Sequence, residues 1–123
     1  MLGATMVVAT IPVSDLDRSK AFYAETLGFA VVGENPASVR LRCGDVSELS
    51  IFRRPGTATV HTLAHFEVND IGATVADLEA KGVVFLDYSE GPLITTNHVA
   101  QIGPALGAWF QDPDGNTLGL RQG

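Results

Sequence analysis

The sequence predicts an α+β fold made of two consecutive βαβββ units. The motif Val13-Ser14-Asp15-Leu16 returns as Val68-Asn69-Asp70-Ile71 about 55 residues later. Each copy follows an apolar run and precedes a helical pattern that ends at a glycine. A chain of 123 residues is long enough for one hydrophobic core. We therefore expect a single domain over residues 1–123, with its two units at about 5–55 and 60–122.

The first unit begins with residues 5–11, which are apolar and β-branched and so predict a strand. Ser14 and Asp17 form an S-x-x-D capping box that is expected to start a helix. Gly28 is expected to end this helix, because glycine accepts a left-handed backbone. Three strands follow near residues 29–33, 38–43 and 47–53, with turn residues between them.

The second unit repeats this pattern with more chain between its strands. The expected elements are a strand at 61–68, a helix at 70–81 and strands near 83–87, 106–111 and 117–122. The segment from Tyr88 to Pro104 is long enough to predict a functional loop or lid. Asp112-Pro113-Asp114-Gly115-Asn116 is a strong turn signal, since proline presets the backbone and glycine accepts a positive φ.

Composition excludes several classes of partner. The chain has 8 Lys and Arg against 14 Asp and Glu, a formal net charge of -6, and no basic cluster. Such a chain is a poor nucleic-acid binder. No apolar run approaches the roughly 20 residues that cross a bilayer, so we expect no membrane partner. The single cysteine and an N-terminus without a positively charged signal pattern predict a cytoplasmic protein.

Two stretches of sequence resemble a known family. They are V-S-D-L-D-R-S-K-A-F-Y, with L-G-F after it, and F-Q-D-P-D-G-N near the end. Together with the repeated βαβββ pattern they resemble the vicinal oxygen chelate superfamily, which includes glyoxalases, bleomycin-resistance proteins and extradiol dioxygenases. The resemblance implies a concave, cup-shaped sheet with helices outside, and a homodimer whose cups form closed pockets. In metal-dependent members a divalent ion in the cup acts as a Lewis acid and orients the substrate.

The resemblance also implies four metal-ligand positions, one on each of four strands. In this sequence those positions hold Val8, Glu48, Leu63 and Gly119. Only Glu48 carries a donor atom, whereas a catalytic divalent ion normally takes three or more protein ligands. We therefore expect no metal at this site and no cofactor. A relocated site built from Glu48, His65 and His98, with His61 nearby, is the less favoured alternative.

The same implied cup yields a set of candidate pocket residues. The expected ligand-binding residues are Val8, Glu48, Phe52, Leu63, His65, Trp109 and Arg121. Apolar members of this set suit an organic molecule rather than an ion, and Trp109 offers a stacking surface for a flat or cationic ligand. Its neighbour Phe110 must point to the opposite face of the strand.

Glu48 and His65 are the candidate catalytic residues of this set. Glu48 is expected to recognise a cationic or hydroxyl group of a ligand. Inside an apolar cup its pKa would rise through desolvation, which would suit a general base. Arg121 is expected either to reach into the pocket or to pair with Glu48.

Four functions are compatible with these residues. The favoured one is a metal-free protein that binds a small organic molecule, such as an antibiotic or aromatic metabolite, and sequesters it as bleomycin-resistance proteins do. The alternative is an enzyme in the same pocket: a metal-independent isomerase or lyase with Glu48 or His65 as base, or, less favoured, a metal-dependent glyoxalase-type lyase or dioxygenase. A non-catalytic module that binds another protein is the fourth. The fold alone does not separate them.

Overall fold

The computed structural model describes residues 2–54 and 60–123. The chain divides into two compact units, residues 1–57 and 58–123. In each unit a helix packs against a β-sheet, so the fold is α+β as predicted. Within these two described ranges, no helix is both long enough and apolar enough to span a membrane.

The first unit contains a four-stranded sheet. Its strands are β1 (Val8–Val13), β2 (Ala30–Asn35), β3 (Ser38–Cys43) and β4 (Ser47–Arg53), in the order β1-β4-β3-β2. β1 runs parallel to β4, and the other pairs are antiparallel. Ile11, Leu41 and Ile51 are fully buried on the face of the sheet that packs against the helix.

The helix of this unit begins one residue later than the sequence suggested. α1 (Leu16–Ala21) is capped by Asp15, whose carboxylate accepts a hydrogen bond from the backbone N–H of Arg18 at 3.0 Å. The expected capping box of Ser14 and Asp17 is therefore wrong, because the residue with the extended N-cap backbone is Asp15. A π-helical turn over Phe22–Thr26 extends α1, and Gly28 then takes φ +84° as predicted.

Residues 60–123, the described part of the second unit, contain six strands. They are β5 (Thr62–Glu67), β6 (Phe85–Leu86), β7 (Thr95–Thr96), β8 (Val99–Ile102), β9 (Ala105–Gln111) and β10 (Thr117–Gln122). Their order is β5-β10-β9-β8-β7, with β6 also paired to β9. β5 runs parallel to β10, which repeats the relation of β1 to β4. α2 (Ile71–Ala80) is capped by Asp70, which corresponds to Asp15 in the repeated motif.

The prediction that the segment from Tyr88 to Pro104 is a loop or lid is wrong for part of that segment. It contains the β7–β8 hairpin, in which Thr96 pairs with Val99 across a two-residue turn. Asn97 and His98 make this turn with φ values of 52° and 72°. Two successive positive φ values match the twist of a tight hairpin, although histidine is an unusual residue there.

Candidate ligand-binding faces

Each sheet has one face against its helix and a second face that is open within its own unit. Face 1 comprises the alternate side chains of β1, β3 and β4 opposite to α1, among them Val8, Arg40, Arg42, Glu48 and Phe52. Face 2 comprises the corresponding side chains of β5, β9 and β10, among them His65, Glu67, Trp109 and Arg121. Leu63 lies beside a register irregularity of the β5–β10 pair and is 36% exposed.

Glu48 occupies the centre of face 1. In the strand register it lies between Val8 of β1 and Arg42 of β3. Its Oε1 accepts a hydrogen bond from Arg40 Nη1 at 2.9 Å, and its Oε2 lies 3.5 Å from Arg42 Nη2. The Glu48 side chain is 15% exposed, whereas the two arginines are 46% and 50% exposed.

The expected rise of the Glu48 pKa is wrong. The hydrogen bond from Arg40 is the main cause that lowers the pKa of Glu48 below its usual 4.5, and Arg42 adds to it against the opposing effect of burial. A carboxylate stabilised in its charged form is a weaker base and already has cationic partners. The arginines were missed, although a hairpin centred on Asp45, with residues 44–46 in the turn, would have placed Arg42 opposite Glu48.

Gly119 occupies the corresponding place on face 2, between His65 of β5 and Trp109 of β9. A Cβ atom at Gly119 would lie 3.2 Å from the His65 Cβ and 3.6 Å from the Trp109 Cδ1. A Cβ at Gly107 would lie 3.2 Å from the Trp109 Cη2, so the indole extends over Gly107. Tyr88 meets the indole edge-on, with 5.5 Å between ring centroids and 83° between planes.

Trp109 is half-buried on this face, and Phe110 is fully buried on the other, as their adjacent positions on a strand predict. The indole therefore lies over backbone that carries no side chain at Gly107, with Tyr88 at one edge. Ile102 reaches the same place, since its Cδ1 lies 2.8 Å from a Cβ built at Gly107, so part of the indole is covered. The exposed part of this half-buried side chain is an aromatic surface that a ligand ring can contact.

Glu67 links the charged side chains of face 2. Arg121 Nη1 donates to both Glu67 carboxylate oxygens at 3.0 and 3.1 Å, and His65 Nε2 lies 3.3 Å from Oε1. Burial acts to raise the pKa of Glu67, but the hydrogen bonds from His65 and Arg121 bring it below its usual value. Arg121 thus has its register partner and ion-pair partner, Glu67, within its own unit, which disfavours the expected alternative of a pairing with Glu48.

The residues present do not fit the divalent metal that the resemblance implies. Of the four implied ligand positions, Val8, Leu63 and Gly119 have no side-chain donor, and the Glu48 carboxylate is engaged by two arginines. Across residues 2–54 and 60–123, no three His, Cys, Asp or Glu side chains are grouped so that they could hold a metal. In the relocated alternative, Glu48 and His98 already have charged partners within their own units, which disfavours both as metal ligands.

The two remaining histidines are His61 and His98, and the single cysteine is Cys43. His61 precedes β5 and is exposed. Both ring nitrogens of His98 face carboxylates, with Nδ1 2.8 Å from Asp87 Oδ1 and Nε2 2.9 Å from Glu79 Oε2. Burial, assisted by Glu48, raises the pKa of the Cys43 thiol to about 11, so it is protonated at neutral pH and is a poor nucleophile.

Three clefts on the two units lie away from these faces. One is at the start of α1, one lies along α2 beside β8, and one adjoins Tyr88 and His98. None of the seven predicted ligand-binding residues lines these three clefts. Those predicted residues lie instead on the open sheet faces or, for Leu63, at the edge of one.

Comparison with known proteins identifies the family. The family sequence model of the Glyoxalase/Bleomycin resistance protein/Dioxygenase superfamily matches residues 5–120. The chain belongs to this superfamily. This confirms the resemblance seen in the V-S-D-L and D-P-D-G-N motifs. No curated protein sequence matches the chain.

The solved structures that resemble this chain include proteins whose names indicate different functions. TnmS3, an antibiotic binding protein from Streptomyces sp. CB03234, is 25% identical with a TM-score of 0.69 over 97% of each chain. A glyoxalase family protein from Enterococcus faecalis is 25% identical with a TM-score of 0.74, over 98% of this chain and 99% of that one. A lactoylglutathione lyase from Agrobacterium tumefaciens is 20% identical with a TM-score of 0.72, over 98% and 94%, which shows the shared fold alone.

Proposed function

We propose that this superfamily member is a metal-independent binding protein for a small aromatic compound, such as an antibiotic or aromatic metabolite, which it holds without converting it. The observation that carries this proposal is the setting of Trp109 on face 2. The indole lies over the backbone at Gly107 and is half-buried, and Tyr88 contacts one edge of it. Offset or edge-on contact with a ligand ring is the favourable use of such a surface.

The charged groups support binding rather than catalysis. A general base needs a pKa near the working pH, but the Glu48 pKa is lowered by its arginines. Cys43 is a protonated thiol at neutral pH. These two observations disfavour a metal-independent isomerase or lyase that uses Glu48 as its base. His65 is the other candidate base, and an experiment must test it.

The comparisons add support of a limited kind. TnmS3 is described as an antibiotic binding protein, and it shares 25% of its residues with this chain along nearly its whole length. The lyase at 20% identity has the same fold, so the fold does not choose between binding and turnover. The setting of Trp109 on face 2 therefore carries the proposal.

We further propose that the protein works as a homodimer in the cytoplasm and that both units belong to one domain. The dimer follows from the superfamily resemblance and from the need to protect sheet edges from non-specific pairing. Light scattering coupled to gel filtration tests it, and a monomer at all concentrations would overturn it.

The binding test uses the single tryptophan of the chain as its reporter. Protein in EDTA-containing buffer is titrated with aromatic antibiotics and metabolites while Trp109 fluorescence is followed. We expect saturable quenching by at least one compound, which is then recovered unchanged by mass spectrometry. By calorimetry, Trp109→Ala should weaken that compound at least tenfold, as truncating a buried aromatic contact typically does, while Trp109→Phe keeps most of the affinity.

Two controls complete this test. Phe22→Ala removes a half-buried aromatic ring from the helical side of the first unit and should leave affinity within about twofold. The His65→Ala variant should bind the compound, and the compound should be recovered chemically unchanged, as with the wild-type protein. Conversion of the compound by wild type but not by His65→Ala would contradict a purely binding role. Conversion that requires an added metal would instead support the metal-dependent lyase or dioxygenase alternative.

A further inference from the structure

We infer that face 1 binds a small organic anion, such as a carboxylate or an acidic phenol, through Arg40 and Arg42. This inference goes beyond the proposed function, whose main contact, Trp109, lies on face 2 of the other unit. It differs from the expectation drawn from Glu48 alone, which was a cationic or hydroxyl group.

The register places both arginines on the same face. Arg40 pairs with Ser50 and Arg42 with Glu48, so they alternate on β3 and point to the side opposite α1. Their side chains are 46% and 50% exposed, whereas the Glu48 side chain is 15% exposed. A molecule that approaches face 1 therefore meets two guanidinium groups before the carboxylate.

The charges on face 1 do not cancel. Among the side chains of β1–β4 that alternate onto this face, Arg40 and Arg42 supply two positive charges and Glu48 supplies one negative charge. Glu34 pairs in register with the buried Val39 and forms an ion pair with Lys20 of α1, so it belongs to the other side of the sheet. The excess positive charge favours an anionic ligand.

The arginines also retain hydrogen-bonding capacity. A guanidinium group has five N–H donors in a planar fork that matches a carboxylate. The contact from Arg42 to Glu48 measures 3.5 Å, at the outer limit for a hydrogen bond, so Arg42 is held less firmly than Arg40 at 2.9 Å. Arg42 is thus the arginine better able to turn toward a second anion.

An apolar contact for the rest of the ligand lies on the same face. Phe52 is half-buried two residues after Ser50, which makes it the diagonal neighbour of Arg40 across the β3–β4 pair. Diagonal neighbours lie within reach of aromatic and long side chains. Val8 flanks Glu48 on the other strand. An aryl group on Phe52 would therefore present an attached acid to Arg40.

The test compares three naphthalene probes of similar shape: 2-naphthoate, neutral 2-naphthamide and cationic 2-naphthylmethylammonium. Calorimetry at pH 7 and low salt should rank them anion, neutral, cation, with naphthoate at least tenfold tighter than the amide. Arg42→Gln and Arg40→Gln should each weaken naphthoate by about tenfold, as expected for losing a charge-assisted hydrogen bond, and leave naphthamide within twofold.

Glu48→Gln provides the sharpest variant. It removes the internal competitor for both arginines, so naphthoate affinity should rise severalfold. If Glu48 instead recognises a cation, this variant weakens the ammonium probe and does not strengthen naphthoate, which overturns the inference. Arg18→Gln on α1 is the matched control and should change no probe more than about twofold.

The outcomes separate the two proposals. Equal affinity for all three probes leaves small-molecule binding in place and overturns the anionic class. Binding of none of the probes at millimolar concentration overturns the anionic site on face 1, whereas the Trp109 fluorescence titration tests the proposed function separately. Thermal melts of every variant check folding, and Arg40→Lys keeps the charge if Arg40→Gln is unstable. Arg40→Lys should lie between wild type and Arg40→Gln, because lysine cannot make the planar two-pronged contact.

Discussion

β4 and β10 hold the same place in the two sheets and present opposite chemistry. Each pairs with a parallel strand on one side and an antiparallel strand on the other. The central residue is Glu48 in the first sheet, next to Arg42, and Gly119 in the second, next to Trp109. One topology therefore carries a carboxylate held by arginines at the centre of face 1 and a glycine beside an indole at the centre of face 2. The repeat determines where side chains lie, and their identity determines what each face can bind.

The turns that lead into these two strands differ as strongly. Residues 44–46, before β4, are exposed, and Gly44 supplies a φ of +67°. Before β10, Asp112 is 4% exposed and Asn116 is 1% exposed. The Asp112 carboxylate accepts hydrogen bonds from the backbone N–H groups of Asp114 and Asn116, and from Asn116 Nδ2, each at 2.9 Å. The first turn depends on the backbone conformation that Gly44 can adopt, whereas the second turn is held by a buried network of hydrogen bonds.

The largest expected effect comes from breaking this network. Asp112→Ala should lower the free energy of unfolding by about 3 kcal/mol, because it removes a buried charged acceptor and leaves the Asn116 donors without it. Asp45→Ala, in the exposed turn of the first unit, should change it by less than about 0.5 kcal/mol. Urea unfolding followed by circular dichroism measures both. Equal losses for the two aspartates would contradict the contrast between the turns.

The next effect concerns a feature that the two units share. Asp15 and Asp70 each accept a hydrogen bond from a backbone N–H three residues later at 3.0 Å. Asp15→Ala and Asp70→Ala should each destabilise the protein by about 1 kcal/mol through loss of the N-cap. Ser14→Ala should cost clearly less than Asp15→Ala, measured by the same urea titrations. The reverse order would restore the capping box of Ser14 and Asp17.

Local patterns predicted much of the fold. The bounds of β3 and β4 agree with the sequence prediction to the residue, because their apolar alternation is regular and Gly44 separates them. Gly28 and Gly82 end their helices with φ values of +84° and +88°, a conformation that glycine tolerates best. The β7–β8 hairpin escaped prediction, because β7 is only two residues long and His98 occupies a turn position that usually selects asparagine or glycine.

The site was harder to predict because its chemistry depends on neighbours in the sheet. Parity along β4 correctly grouped Glu48 with Phe52 on one face. The pKa of Glu48 depends on Arg40 and Arg42 of the adjacent strand, so it required the register of the β3–β4 pair. Glu67 was overlooked for the same reason, since its partner Arg121 lies 54 residues away in the chain.

The smallest expected effect is a pH dependence of local stability that differs between the two units. All three histidines, at positions 61, 65 and 98, belong to the second unit. Hydrogen bonding to Asp87, and then to Glu79, raises the pKa of His98 above its usual 6.5 despite some burial. The ring also stacks on Phe85, with 5.6 Å between centroids. Protonated His98 therefore ties the β7–β8 hairpin to α2 and to the chain after β6.

A group whose pKa is raised on folding stabilises the folded state fully below its unfolded pKa, and that stability is lost as pH rises through the folded pKa. Between about pH 6 and pH 8.5, amide exchange in the β7–β8 hairpin should accelerate a few-fold beyond the intrinsic rate change, whereas the histidine-free β2–β3 hairpin should not. Mass spectrometry of exchanged peptides measures both. His98→Asn keeps a residue that tolerates positive φ but cannot be protonated, so its profile should be flat. Identical profiles for wild type and His98→Asn would show that the two carboxylates do not hold the hairpin through this ring.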